Sequence, residues 1–248
     1  MSLPESGPAP EVVVEPSATE LAAATADRLL ALISAALRER SRADLLITGG
    51  GILERVLRAV GAAPARDSID WRHVHIWWGD ERYVEAQSDD RNDKAAFAAL
   101  LGSLDLDPAH VHRMPASDWG FADVDEAAAA YARQLAASFD VALLGVGPDG
   151  HCASLFPTSR GVYEESASVI GVHDSPKPPP LRISLTFRSL DTASEVWFIA
   201  SGSPKSHAVG LAVGGADRAL VPSAGPRGRS RTLWLLDTEA AAELPSPT

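Results

Sequence analysis

The sequence predicts an α/β fold of three layers, a mainly parallel sheet with helices on both faces. Three observations carry that expectation. Short apolar runs alternate with segments of helical period along the whole chain. Four of those runs end directly in a polar or glycine-rich cluster. Parallel strands point the same way, so such clusters would gather on one sheet edge, where open α/β sheets bind their ligands. Finally, 46% of the 248 residues are hydrophobic, enough for the core of a large α/β unit.

Composition narrows the function classes. A formal net charge of −11 opposes nucleic acid as the main partner. It leaves room for a small anion held by a local cluster of Arg and Lys. No apolar run reaches the roughly 18 residues of a membrane span, so no membrane association is expected. The N-terminus shows no basic-then-apolar secretory pattern. The single cysteine, Cys152, has no internal partner, and a reducing cytoplasm is the expected compartment. The seven histidines show no His-x-x-x-His or paired-Cys spacing, so no metal is expected.

Met1–Pro10, with three prolines, reads as a flexible tail, and residues 11–244 as a single domain. Val12–Val14 is a short strand. Ser17 and Glu20 have capping-box spacing, and Leu29, Ile33, Ala36 and Leu37 carry a helix to about Arg40. Asp44–Thr48 is a buried strand that runs into Gly49, Gly50 and Gly51, after which a helix starts with Ile52, Val56 and Val60 on one face. Strand, glycine loop and helix together aim bare backbone N–H groups at an anion, although a tight turn alone would read the same way.

Val74–Trp78 is the next strand, with His73 and His75 as sheet-face residues. It ends in Gly79, Asp80, Glu81 and Arg82. A polar loop then leads through Arg91 and Asn92 into a helix with Phe97 and Leu101 inward. Arg91 either adds positive charge to a site or faces water. Val111–Pro115 is a short edge strand stopped by its proline. Val124, Ala128, Tyr131 and Leu135 mark an amphipathic helix, with Asp123 and Glu126 in its first turn.

Val141–Leu144 is the central buried strand. It breaks off at Gly145, Gly147, Pro148, Asp149, Gly150 and His151, which sets an acid and an imidazole at a strand's carboxyl end. Val169–Val172 is a strand, followed by a proline-stiffened loop from His173 to Pro180 that contains Lys177. Arg182–Thr186 is a further strand. Glu195–Ala200 leads into Ser201–Lys205, where Ser203 fits a helix N-cap, Pro204 the first helical position and Lys205 the first turn. A cation there opposes the helix dipole, and binding an anion explains it. Arg231–Leu235 is the last strand, and Asp237 caps a final short helix.

Among the residues of the four strand-end clusters, His151 alone has a side chain whose ordinary pKa, about 6.5, suits proton transfer near neutrality. A neutral imidazole can take a proton from water, whose oxygen then attacks an ester carbonyl. Asp149 would orient the ring. No Gly-x-Ser-x-Gly elbow is present, and Cys152 reads as a small buried residue. Spacing alone therefore gives a site for a phosphorylated small molecule with an acid–base histidine.

The stretch GVGPDGHCASLFP, residues 145–157, resembles the signature of 6-phosphogluconolactonases and, more loosely, that of the related glucosamine-6-phosphate deaminases. The resemblance runs from about Val12 to Leu236. It implies a Rossmann-like sheet of the sugar-phosphate deaminase/isomerase kind. It also implies hydrolysis of 6-phospho-D-glucono-1,5-lactone in the pentose phosphate pathway, without metal or cofactor. The chain would act on that small molecule as a monomer. Most relatives carry Gly-Gly-Ser-Thr-Pro after the first strand of the site, whereas this chain has Gly-Gly-Gly-Ile-Leu. Thr48 and the backbone of Gly49 and Gly50 must then serve the phosphate.

Gly-Asp-Glu-Arg, residues 79–82, resembles the lactonases specifically, since the deaminases typically carry Asp-Glu-Tyr there. On this resemblance Arg82, Arg182 and Lys205 bind phosphate or the sugar acid, ahead of Lys177 and His173. Asp80 and Asn92 are further contacts, Asn92 standing where relatives usually show Ser-Asn. The alternatives are an amino-sugar-phosphate deaminase or isomerase, which Arg82 opposes, and a non-catalytic sugar-phosphate-binding protein, which the intact Asp149 and His151 oppose.

Overall fold

A computed structural model describes residues 9–245. Most of the tail read over Met1–Pro10 lies outside the described residues. The strands are β1 (Glu11–Glu15), β2 (Ala43–Ile47), β3 (Val74–Trp78), β4 (Asp80–Arg82), β5 (Val111–His112), β6 (Val141–Gly145), β7 (Val169–Val172), β8 (Arg182–Leu185), β9 (Glu195–Ala200) and β10 (Arg231–Asp237). The helices are α1 (Ala18–Arg40), α2 (Gly51–Ala62), α3 (Asn92–Ala99), α4 (Val124–Gln134), α5 (Phe187–Leu190) and α6 (Ser206–Val213).

Seven strands form one sheet in the order β1-β10-β9-β6-β2-β3-β5, every pair of it parallel. From β2 the chain builds outward to β3 and β5, then returns to β6 and builds the other way through β9 and β10. β2 and β6 are thus neighbours across the reversal, with Leu45 opposite Val141 and Ile47 opposite Leu143. In a sheet of this kind the crevice beyond the strand ends opens at that reversal.

Helices cover both faces, as period-two alternation requires. Leu45, Ile47 and Ile76 meet Leu29 and Ile33 of α1 and Leu57 and Val60 of α2. Trp77, next to Ile76, points the opposite way and meets Tyr131 of α4 edge-on, ring centroids 6.3 Å apart. The Tyr131 hydroxyl accepts from Trp78 N (3.0 Å) and lies 3.1 Å from His112 O. α4 is therefore fastened to the sheet by a buried polar contact as well as by apolar packing. α1 starts as its sequence dictates, with Ser17 Oγ accepting from Glu20 N and donating to Glu20 Oε2.

Four expectations need correction. First, β4, β8 and β7 do not join the main sheet but form a separate antiparallel one. Gly79 causes this by turning the chain straight after β3; its carbonyl accepts from Leu185 N (2.8 Å), which starts the new pairing. Second, Ser203–Lys205 is a single 3₁₀ turn, and Lys205 precedes α6 rather than lying in its first turn. Gly202, not Ser203, holds the N-cap position of that turn, and Asp237 at the end of β10 accepts from Gly202 N (3.0 Å) and Ser201 Oγ, which ties the turn to β10. Third, the helix expected after Asp237 is a run of turns, closed by Ala240 N donating to Asp237 Oδ1 (2.8 Å) and ended before Pro245. Fourth, Arg91 faces neither a ligand site nor water, being 1% exposed. Among the described residues no helix is long and apolar enough to cross a membrane.

Candidate active site

At the β2/β6 reversal the two strands end in glycines, so their loops approach closely. A Cβ on Gly145 would lie 3.4 Å from the carbonyl oxygen of Gly49. Thr48 joins the loops: its hydroxyl donates to Leu143 O (3.1 Å) and accepts from Gly145 N (3.2 Å). Thr48 borders the cleft, but its hydroxyl is engaged by β6 rather than turned to a ligand. Gly50 has φ +123°, a conformation that L side chains rarely adopt, and α2 follows with no side chain capping it. Its first N–H groups are the bare donors that the glycine loop predicts.

The cleft has a volume of about 680 Å³. All four polar clusters predicted to converge reach it, from Gly49 after β2, Asp80 after β3, His151 after β6 and Lys205 after β9. Among the described residues its lining carries five basic side chains (Arg55, Arg82, Lys177, Arg182 and Lys205) and one acidic, Asp80. A chain of net charge −11 thus builds one strongly positive concavity.

His151 stands at the rim. Its Nδ1 lies 2.5 Å from Asp149 Oδ1, and its ring lies against Phe156 with centroids 4.8 Å apart. The geometry comes from the turn itself. Gly150 has φ +82°, Gly150 N donates to Gly147 O (2.9 Å), and Gly147 N donates to His151 O (2.8 Å). Burial opposes the charge on Asp149. The hydrogen bond and charge of His151, together with the Lys177 ammonium, outweigh burial and hold this carboxyl well below the usual carboxylate range. Asp149 is therefore ionised, and its contact with Nδ1 fixes the orientation of the ring. Cys152, adjacent in sequence, is fully buried, and burial pushes its thiol far up. It cannot serve as a nucleophile there.

A second wall comes from β4 and the start of α3. Asn92 Nδ2 donates to Asp80 O (3.0 Å), and its Oδ1 accepts from Arg82 Nη1. The Nε of Arg82 is buried and has no acceptor among the described residues. Ser154 Oγ donates to Asp80 Oδ2 (2.7 Å), which binds the His151 loop to this wall. Beneath lies an ionic cluster. Glu81 accepts from Asn92 N (2.7 Å) and Asp93 N (2.9 Å), so it caps α3. Burial pushes its carboxyl up to about 7, against the pull of Arg91. Arg91 pairs with Asp93 (2.9 Å) and donates to Met114 O (2.7 Å).

Arg182, 5% exposed, spends much of its guanidinium on the proline loop. Nε donates to Pro179 O (2.8 Å), and Nη2 to Lys177 O and Pro178 O (3.0 Å each). Lys205 is half-buried, and burial, with the nearby Lys177 charge adding, lowers it from the ordinary lysine range. His173 is turned to Asp125 (3.0 Å) and does not line the cleft.

Of the residues singled out in the sequence, Thr48, Gly49, Gly50, Asp80, Arg82, Asn92, His151, Arg182 and Lys205 all border this cleft, with Asp149 behind His151. Sequence reasoning underrated Lys177 and passed over Ser154, Glu81 and Arg55. Ser154 lies three residues after His151 and could have been weighed with that motif. Glu81 sits inside the polar cluster but gave no sign of being buried. Arg55 gave no signal, because an arginine on a helix usually faces water.

Comparison with known proteins identifies the family. The family model described as glucosamine-6-phosphate isomerases/6-phosphogluconolactonase matches residues 16–234. The 6-phosphogluconolactonase of Streptomyces coelicolor is 49% identical over 248 residues, 95% of each chain. That of Mycobacterium tuberculosis is 47% identical, covering 95% of this chain and 98% of its own. The solved structure of 6-phosphogluconolactonase from Trypanosoma brucei superposes with a TM-score of 0.82 at 27% identity, covering 95% of this chain and 99% of its own. With the model matching nearly the whole chain and relatives at almost half identity, this chain belongs to the glucosamine-6-phosphate isomerase/6-phosphogluconolactonase family.

Proposed function

We propose that the chain hydrolyses 6-phospho-D-glucono-1,5-lactone to 6-phospho-D-gluconate, the lactonase step of the pentose phosphate pathway, with His151 as general base. The observation that carries the reading is the Asp149–His151 pair at the mouth of a cleft lined by cations. The name shared by relatives at 47–49% identity supports the choice of substrate.

In this mechanism Asp149 accepts from Nδ1–H, and the bare Nε2 takes a proton from water. The oxygen adds to the lactone carbonyl carbon and gives a tetrahedral oxyanion. Collapse breaks the bond to the ring oxygen, which leaves with a proton as the sugar hydroxyl. Arg82, Arg182 and Lys205 supply the positive charge that holds the phosphate and offsets the oxyanion. Arg82 is suited to such contact, because its Nε finds no acceptor among the described residues. The bare N–H groups at the start of α2 suit the phosphate.

The test is proton release on adding freshly made lactone, with a no-enzyme blank because this ester also opens spontaneously. Hydrolysis well above the blank is expected. A rate equal to the blank, with ammonia released from glucosamine 6-phosphate instead, would move the chain to the deaminase branch of its family.

A further inference from the structure

Nδ1 of His151 has two neighbours with opposite demands. Asp149 Oδ1 lies 2.5 Å away, and Lys177 Nζ lies 3.1 Å away. A carboxylate only accepts hydrogen bonds and an ammonium only donates them. When Asp149 holds the ring, Nδ1 carries the proton and Nε2 is bare. When Lys177 holds it, Nδ1 is bare, Nε2 carries the proton, and the ring cannot take one from water. The shorter contact gives the resting ring to Asp149, while Lys177 shares the same Oδ1 at 3.3 Å.

Lys177 is held in place by its loop. Arg182, buried at the start of β8, donates to the carbonyls of Lys177, Pro178 and Pro179. Ser175 Oγ closes the loop from the other side, donating to Lys177 O (2.8 Å) and accepting from Lys177 N (3.3 Å). The backbone that carries this ammonium is thus fixed at several points.

We propose that Lys177 is a positioning residue that competes with Asp149 for Nδ1 of His151, so that Asp149 serves as much to deny the ring to Lys177 as to orient it. The inference rests on the reading of His151 as the base. It has an unusual consequence. Losing Asp149 alone lets Lys177 cap Nδ1 and lock the unproductive tautomer, whereas losing both leaves the ring free to sample the productive one. The double variant is therefore more active than the single.

Nitrogen-15 NMR of histidine-labelled full-length protein reads the tautomer directly. The expected result is Nδ1–H in the wild type, Nε2–H in Asp149→Ala, and a mixture in Asp149→Ala/Lys177→Met. Lactone hydrolysis is expected to recover on the order of tenfold from single to double variant, the size of coupling seen between contacting groups. Circular dichroism checks folding, and Asp149→Ser replaces the alanine variant if that misfolds. The proposal is overturned if the single variant keeps Nδ1–H, or if adding Lys177→Met leaves the rate unchanged or lower. If even the wild type shows no lactone hydrolysis, the functional reading fails while the NMR comparison still decides the competition.

Discussion

Gly147 shows how one absent side chain shapes the site. A Cβ there would overlap His151 Nδ1 and Asp149 Oδ1. Both partners are needed in register, and a displacement of about 1 Å at a reacting group can cost roughly a hundredfold in rate. Gly147→Ala is therefore expected to lower kcat by about that factor while shifting the melting temperature only slightly, which steady-state kinetics and calorimetry would check together. Arg91 shows the opposite case, a residue whose weight is structural. Its side chain is fully buried beside Glu81 and Asp93. Arg91→Met leaves two buried carboxyls with less compensation, and breaking a buried pair in this way costs about 3–5 kcal/mol. Urea unfolding would show the loss. The sequence made Arg91 visible only as a departure from relatives, because burial of a charge depends on partners such as Asp93 and Met114 that the fold brings together.

The elements of the main sheet were legible because each is short, apolar and closed by turn residues. Val74–Trp78 and Glu195–Ala200 fall where the pattern put them. Of the second sheet, β7 and β8 were legible as strands, but β4 and the separate pairing were not. β4 has three polar residues, and its partner β8 lies about a hundred positions away in the chain, so no local period marks it. A histidine pair joining β3 to β5 was equally hidden. His75 Nδ1 lies 3.0 Å from His112 Nε2, and His112 stacks on Trp77 at 3.5 Å. Burial lowers both rings to about 4, with Arg42 adding for His75 and His75 adding for His112; Asp44 and Asp107 oppose the shift at His75. A folded-state value below the unfolded one means that the unfolded chain binds more protons between pH 4 and 6.5. Stability is then fully present above about 6.5 and lost as pH falls toward 4. Urea midpoints across this window should fall with acid, and His112→Phe should flatten the slope. An unchanged slope would remove the pair from the acid response.

At the scale of the whole molecule, topology does what no single motif could. The chain leaves β2 in one direction and β6 in the other, so the Gly49–Gly51 loop and the Asp149–His151 turn open into one crevice. The strand order was not readable, but the convergence of four strand-end clusters followed from parallelism alone. The roles of single residues were less legible, since Thr48 and Arg182 border the cleft yet spend polar atoms on neighbouring backbone. The central claim is that His151, set by Asp149, activates water for lactone opening. The measurement that tests it most directly is the rate of 6-phosphogluconolactone hydrolysis by His151→Ala, beside wild type and a no-enzyme blank. The account predicts a folded variant, unchanged by circular dichroism, whose rate matches the blank while wild type far exceeds it. A folded His151→Ala protein that hydrolyses the lactone at near wild-type rate would contradict the account.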